Sequence, residues 1–131
     1  MISSKSRQHF SSGAEWEDIA GYSRAVRVGN QIEVAGTTSM INGELIGKGD
    51  IYLQTKTILF IIKEAIEGLG GTIEQTIRTR MFVTDISQWE LVAKAHGEIF
   101  SNIKPASTMV EIVGLINSEM LIEIEATAIV E

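Results

Sequence analysis

The stretch from Pro105 to Ala126 constrains this chain more than any other. Both of its halves alternate with period two, which commits them to strands with one buried face. In the second half Ile122, Ile124, Ala126, Ala128 and Val130 share one face, and Glu123, Glu125 and Thr127 share the other. In the first, Thr108, Val110 and Ile112 oppose Ser107, Met109 and Glu111. Paired as an antiparallel hairpin across the polar break at Asn117-Ser118, these strands would gather Ser107, Glu111, Glu123 and Glu125 on one surface. From Pro105 to Glu131 there are five glutamates and no lysine or arginine. Carboxylates crowded without a local cation either face water or raise one another's pKa, so this hairpin is the first place to look for chemistry.

The preceding chain reads as alternating strand and helix signals. His9-Phe10-Ser11 suggests a short edge strand, closed by a turn at Ser11-Ser12-Gly13. After Gly21, Tyr22, Arg24, Val26 and Val28 alternate with Ser23, Ala25 and Arg27. Gly29-Asn30 turns the chain and Gln31 to Thr37 resumes the alternation, which predicts a hairpin. Asn42-Gly43 is a second turn, in a glycine-rich loop that runs to Gly49. Asp50 is placed to cap a helix with Ile51, Thr55, Ile58, Ile62, Ala65, Ile66 and Leu69 along one stripe. Leu59, Phe60 and Ile61 widen that stripe, so the helix is expected to lie on a sheet with little of it exposed. Gly68-Leu69-Gly70-Gly71 closes this helix instead of opening one, which favours a C-cap over a phosphate loop.

Thr76 to Thr84 reads as a strand with Ile77, Thr79, Met81 and Val83 on one face and Arg78, Arg80, Phe82 and Thr84 on the other. Ser87 and Glu90 make a capping box for a second helix, whose apolar face carries Trp89, Val92, Ala93, His96 and Phe100. Hairpin, helix, strand, helix, hairpin predicts one α+β domain over residues 1–131, with two helices on one side of a sheet.

Composition narrows the function classes. The chain has no cysteine, which excludes disulfides and thiol catalysis and suits a reducing compartment. No apolar run is long enough to span a bilayer, and Met1 to Arg7 lacks the apolar core of a signal peptide, so a cytoplasmic protein with no membrane partner is expected. A net charge of −6 argues against a general nucleic-acid binder, which needs a basic patch for phosphates. His9 and His96 are not at metal-ligand spacing, and neither a metal nor a cofactor is expected.

Pro105-Ala106, followed after a hydrophobic turn by Glu123-Ile124-Glu125-Ala126, resembles the closing signature of the RidA/YjgF family of enamine and imine deaminases, also known under the older label L-PSP endoribonuclease. Upstream, Gly21-Tyr22-Ser23-Arg24-Ala25-Val26 with Gly29-Asn30, then Ala35-Gly36, then Phe82-Val83-Thr84-Asp85 continue the likeness. The resemblance covers nearly all of the chain beyond about residue 20. It implies a chorismate-mutase-like mixed sheet backed by two helices, a homotrimer with small-molecule clefts between subunits, and hydrolysis of a reactive enamine or imine.

The same resemblance assigns expectations to individual residues. Glu123 matches the glutamate that positions or activates the attacking water; unaided, it and Glu125 would read as solvated glutamates on a strand. Tyr22 matches a tyrosine lining the cleft, and otherwise is a half-buried strand aromatic. A backbone group near Gly36 would help to bind the substrate. The position after Pro-Ala, where deaminating relatives hold the substrate carboxylate with an arginine, is Ser107 here, so ordinary 2-imino acids would lose their anchor. Arg80 would supply the missing cation or else form a surface or inter-subunit salt bridge, and Arg24 is a weaker candidate for the same task. His96 is a hydrogen-bonded packing residue or a proton carrier near neutral pH. Ala93 and Met109, at the family's asparagine and cysteine positions, also move the pocket away from the imino-acid pattern. The rival reading is a trimer that binds a metabolite without turnover or acts as a chaperone-like partner; nuclease activity is disfavoured by charge.

Overall fold

In the computed structural model, which describes residues 6–131, a sheet in the order β1-β2-β3-β8-β6-β7 carries the long helices on one face. The strands are β1 (Arg7–Phe10), β2 (Ala25–Val28), β3 (Gln31–Thr37), β6 (Thr76–Val83), β7 (Ala106–Glu111) and β8 (Ile122–Ile129). A small separate hairpin pairs β4 (Met40–Ile41) with β5 (Glu44–Leu45) around Asn42-Gly43, both at positive φ. The helices are α1 (Glu15–Ala20), α2 (Ile51–Gly68) and α3 (Trp89–Phe100).

β8 is the centre of this arrangement. Ile122, Ile124, Ala126 and Ala128 are buried beneath the helices, as the alternation requires. They meet Ile58, Leu59, Ile62 and Ile66 of α2, with Ile32 and Val34 of β3 and Val92 of α3 completing the core. α2 begins where expected, with the Asp50 side chain accepting a hydrogen bond from the Leu53 amide at 3.1 Å. It ends at the glycine cluster, where Gly70 takes φ +85° and the Gly71 amide reaches the Ile66 carbonyl. The anticipated α2 stripe from Ile51 to Leu69 is buried throughout, but of the residues that widen it only Leu59 is buried: Ile61 is half-buried and Phe60 faces outward, 54% exposed.

The C-terminal hairpin does not form. β8 pairs antiparallel with β3 on one side and with β6 on the other, so neither of its edges is left for β7. β7 instead pairs parallel with β6, with α3 as the crossover between them. Alternation says which face of a strand is buried; it does not name the neighbouring strand.

Three smaller expectations are also corrected. A bulge in β6 between Thr76 and Arg78 buries Thr76 and turns Ile77 out of the core. Ser87 does not cap α3: Asp85 accepts from the Ser87 amide and hydroxyl and caps a short 3-10 turn over Ile86–Gln88 that leads into the helix. The inner face of α3 is Val92, Ala95 and Phe100, while Trp89 is half exposed and Ala93 exposed. The 3-10 turn delays the helix and rotates its stripe. No helix among the described residues is long and apolar enough to cross a membrane.

Candidate functional site

The decisive local feature is a bulge in β3. Between the pairs Val34–Ala126 and Thr37–Ile124, two residues, Ala35 and Gly36, stand against Glu125 alone. Such an insertion bends the strand and re-aims its side chains. Thr37 turns into the core and donates to the Ala35 carbonyl at 2.7 Å. Gly36 is left against the carboxyl group of Glu123, on the face of β8 opposite the core. A β-carbon at Gly36 would lie 2.7 Å from the Glu123 carboxyl carbon, so the carboxyl group could not stay where it is beside any larger residue. The backbone of Gly36 needs no unusual φ; the constraint is space.

Beside this bulge is a cavity of about 340 Å3. Tyr22, Arg24, Gly36, Thr37, Met120 and Glu123 line it, with Trp16 and Ile19 of α1, Ile61 of α2, and Leu115 and Ile116 of the connection from β7 to β8. α1 is held in place by Glu17. Its buried carboxylate accepts from the Ser11 hydroxyl at 2.9 Å, from the Ser12 amide at 3.2 Å and from the Ser12 hydroxyl. Burial alone would raise the pKa of Glu17, but these serine hydrogen bonds outweigh it and the carboxyl sits below its ordinary value. Gly21, at φ +76°, ends α1 and delivers Tyr22 to the cavity wall.

Two opposite charges share this cavity. Burial raises the pKa of Glu123, the negative charge of Glu125 adds to the rise, and the Arg24 guanidinium partly offsets it. Arg24 is only 8% exposed, and its guanidinium lies 5.6 Å from the centre of the Tyr22 ring. Its Nη1 donates to Thr37 Oγ1 over a long 3.4 Å, and its Nε is buried without a partner. The ion pairs among the described residues are Lys48–Glu119, Lys56–Glu98 and Arg80–Glu125, none of which includes Arg24. A buried cation without a counter-ion in contact costs several kcal/mol, while a ring face returns up to about 2.

The structure therefore brings Tyr22, Arg24, Gly36 and Glu123 together and places Arg80, Ser107 and His96 elsewhere. Arg80 shares the open face of the sheet with Glu123 but does not line the cavity; it stands opposite Glu125 in register, 3.9 Å from its carboxylate. Ser107 and His96 are on the helix side. The Thr79 hydroxyl joins them, 2.7 Å from Ser107 Oγ and 2.9 Å from His96 Nε2. Burial lowers the pKa of His96, and its ring stacks at 4.6 Å on Phe100. With β6 between β7 and β8, Ser107 and Glu123 of one chain do not share a surface.

Sequence reading ranked Arg24 below Arg80 and passed over Glu17 and α1. The six residues of α1 are too few to show a period, although Gly21 was a visible stop signal. Gly36→Ala is expected to displace the Glu123 carboxylate, the movable end of a flexible side chain, at a cost of about 1 kcal/mol or less. By pushing the carboxylate towards water it should also lower the Glu123 pKa towards its ordinary value. Chemical denaturation and a carboxyl carbon NMR titration check the two effects.

Fold and cavity together define a helix-backed α+β sheet protein with a carboxylate and a guanidinium at the wall of a pocket sized for a small molecule. The chain belongs to the endoribonuclease L-PSP family, which it matches over residues 13–130, and so to the RidA/YjgF group that its motifs resemble. The solved structure of Rv2704 from Mycobacterium tuberculosis, a member of the YjgF/YER057c/UK114 family, superposes with a TM-score of 0.89 at 45% identity, covering 95% of this chain and 100% of that one. An uncharacterized protein of Streptomyces coelicolor is 36% identical over 97% of this chain and 95% of its own length. The 3-aminoacrylate deaminase RutC of Acinetobacter baylyi is 28% identical over 84% of this chain and 87% of its own.

Proposed function

We propose that the protein hydrolyses an enamine or imine of a reactive small metabolite, with Glu123 orienting the attacking water. The observation that carries this reading is the Glu123 carboxyl held against the Gly36 bulge at the cavity wall, with its pKa raised by burial. A carboxyl whose pKa is raised towards neutrality can both accept and return a proton in one cycle. An enamine is first protonated on carbon to give the iminium. Water then adds to the C=N carbon and one of its protons passes through Glu123 to nitrogen. The carbinolamine expels ammonia as its hydroxyl proton leaves to solvent, which replaces the proton taken from solvent at carbon. The deaminase named among the relatives performs a reaction of this class on 3-aminoacrylate.

By the resemblance, an ordinary 2-imino acid loses its usual carboxylate anchor at Ser107, which favours a different enamine or imine as substrate. Nuclease action is disfavoured by the net charge of −6, which repels phosphates. Ammonia release from a panel of enamines and imines generated in situ, measured against the spontaneous rate, tests the proposal. Catalysis above background on at least one is expected, and none on any would favour a metabolite-binding protein without turnover.

The protein also assembles, in this reading, as a cytoplasmic homotrimer. The helices cover one face of the sheet, and the other presents Phe82 and a 42%-exposed Val110 beside Glu123 and Arg80. A partly apolar face of this kind is suited to burial against another copy. Sedimentation equilibrium should give three times 14.3 kDa at micromolar concentration; a monomer would remove the assembly.

A further inference from the structure

We propose that Arg24 is the anion-binding residue of this cavity, and that it holds the carboxylate of a small molecule whose apolar tail lies against Trp16, Ile61, Ile116 and Met120. The inference rests on the reading of this cavity as a substrate site, and it names both the residue that selects the substrate and the chemistry selected.

The guanidinium is the argument. It is more than nine-tenths buried, it lines the cavity, and its hydrogen bonding is unfinished. Arginine carries five N–H donors, of which Nε has no partner and Nη1 has only the long contact to Thr37. The two carboxylates whose charge it feels are otherwise engaged. Glu17 is taken up by Ser11 and Ser12, and Glu123 is packed against Gly36. The Tyr22 ring covers the guanidinium but accepts no conventional hydrogen bond from it. An anion on the cavity side would supply the contacting partner that neither glutamate provides, and a carboxylate matches the planar fork. A phosphate-rich ligand would meet no second cation among the residues lining this cavity.

Size and wall chemistry define the remainder of the molecule. Apart from Arg24, Glu123 and a few hydroxyls, the lining is apolar. A volume of about 340 Å3 lies at the small end of the roughly 300–1,000 Å3 usual for small-molecule sites, which suits a compact carboxylate that carries an apolar tail. A three-carbon imino acid would leave most of these walls unfilled.

The test uses 3-phenylpropanoate, its neutral amide 3-phenylpropanamide, and propanoate as the probe without a tail. Binding to the intact protein is followed by calorimetry and by quenching of Trp16, which lines the cavity while Trp89 lies outside it. The parent should bind 3-phenylpropanoate saturably and at least about tenfold more tightly than either other probe, the scale of a hydrogen bond to a charged group. Arg24→Met should lose about tenfold for the carboxylate and little for the amide, with Arg24→Lys between them. Equal binding of carboxylate and amide, no saturable binding of 3-phenylpropanoate, or a folded Arg24→Met variant that binds it like the parent would each overturn the inference. If Arg24→Met does not fold, the comparison of carboxylate with amide on the parent decides alone. Binding is read without turnover, so an absence of hydrolysis with intact Arg24-dependent binding removes the catalytic proposal and leaves this one standing.

Discussion

Glu123→Gln is expected to lower turnover of the best enamine or imine substrate by about 10²–10⁴-fold, the usual contribution of a positioned acid or base. Glutamine keeps the shape, so the clearance against Gly36 is unchanged and only the proton-carrying group is lost. The same variant should be more stable than the parent at neutral pH. Because the Glu123 pKa is raised in the folded state, the native protein holds this proton more tightly than the unfolded chain does. Stability associated with the group is therefore greatest below the unfolded glutamate pKa of about 4.3 and declines as pH rises through the folded value. Replacing the group removes that decline. Melting curves at pH 4 and pH 7 should show parent and variant close together at the lower pH and the variant higher at the upper one. A glutamate in open solvent would give neither effect. Loss of activity with unchanged stability at both pH values would show that burial does not set the chemistry of Glu123.

Much of the fold was legible because burial is periodic. β8 announced its inner face through Ile122, Ile124, Ala126 and Ala128, and α2 announced its length through Asp50 at one end and Gly70 at the other. Pairing was not legible, because Ser107 and Glu123 have the same alternation whether β7 lies beside β8 or one strand away. The two bulges were also hidden. Each inserts one residue that local pattern treats as ordinary, yet the one at Ala35-Gly36 creates the site. Arg24 illustrates the same gap. The sequence offers it only as a weaker alternative to Arg80, and its enclosure by Tyr22 and the cavity walls, brought from distant parts of the chain, is what reveals a buried charge.

Gln54 is the residue whose loss should cost the fold most among the polar positions near the cavity. It lies on the second turn of α2 and is fully buried, with every polar group of its amide in use. Nε2 donates to the Gly47 carbonyl and to the Glu119 carbonyl, both at 3.0 Å, and Oε1 accepts from the Leu121 amide at 2.9 Å. One side chain thus ties the glycine loop before α2 to the end of the connection that carries Leu115, Ile116 and Met120 into the cavity. Gln54→Leu preserves volume but leaves the Glu119 carbonyl and the Leu121 amide without a partner in a part-buried setting, while the Gly47 carbonyl keeps the Asp50 amide. At about 1 kcal/mol or more for each group left without a partner, a loss of about 2–4 kcal/mol is expected. Urea denaturation should show a lower midpoint with an unchanged slope, since the surface exposed on unfolding is the same. Local opening should exceed the global change, with amide exchange at Leu121 and along residues 114–120 accelerated more than in α2. If the protein turns over a substrate, KM should rise more than kcat falls, because the wall at Leu115, Ile116 and Met120 loosens while Glu123 keeps its place against Gly36. A loss below about 1 kcal/mol would mean that water replaces the amide at all three contacts, and that the connection is held by its apolar residues instead.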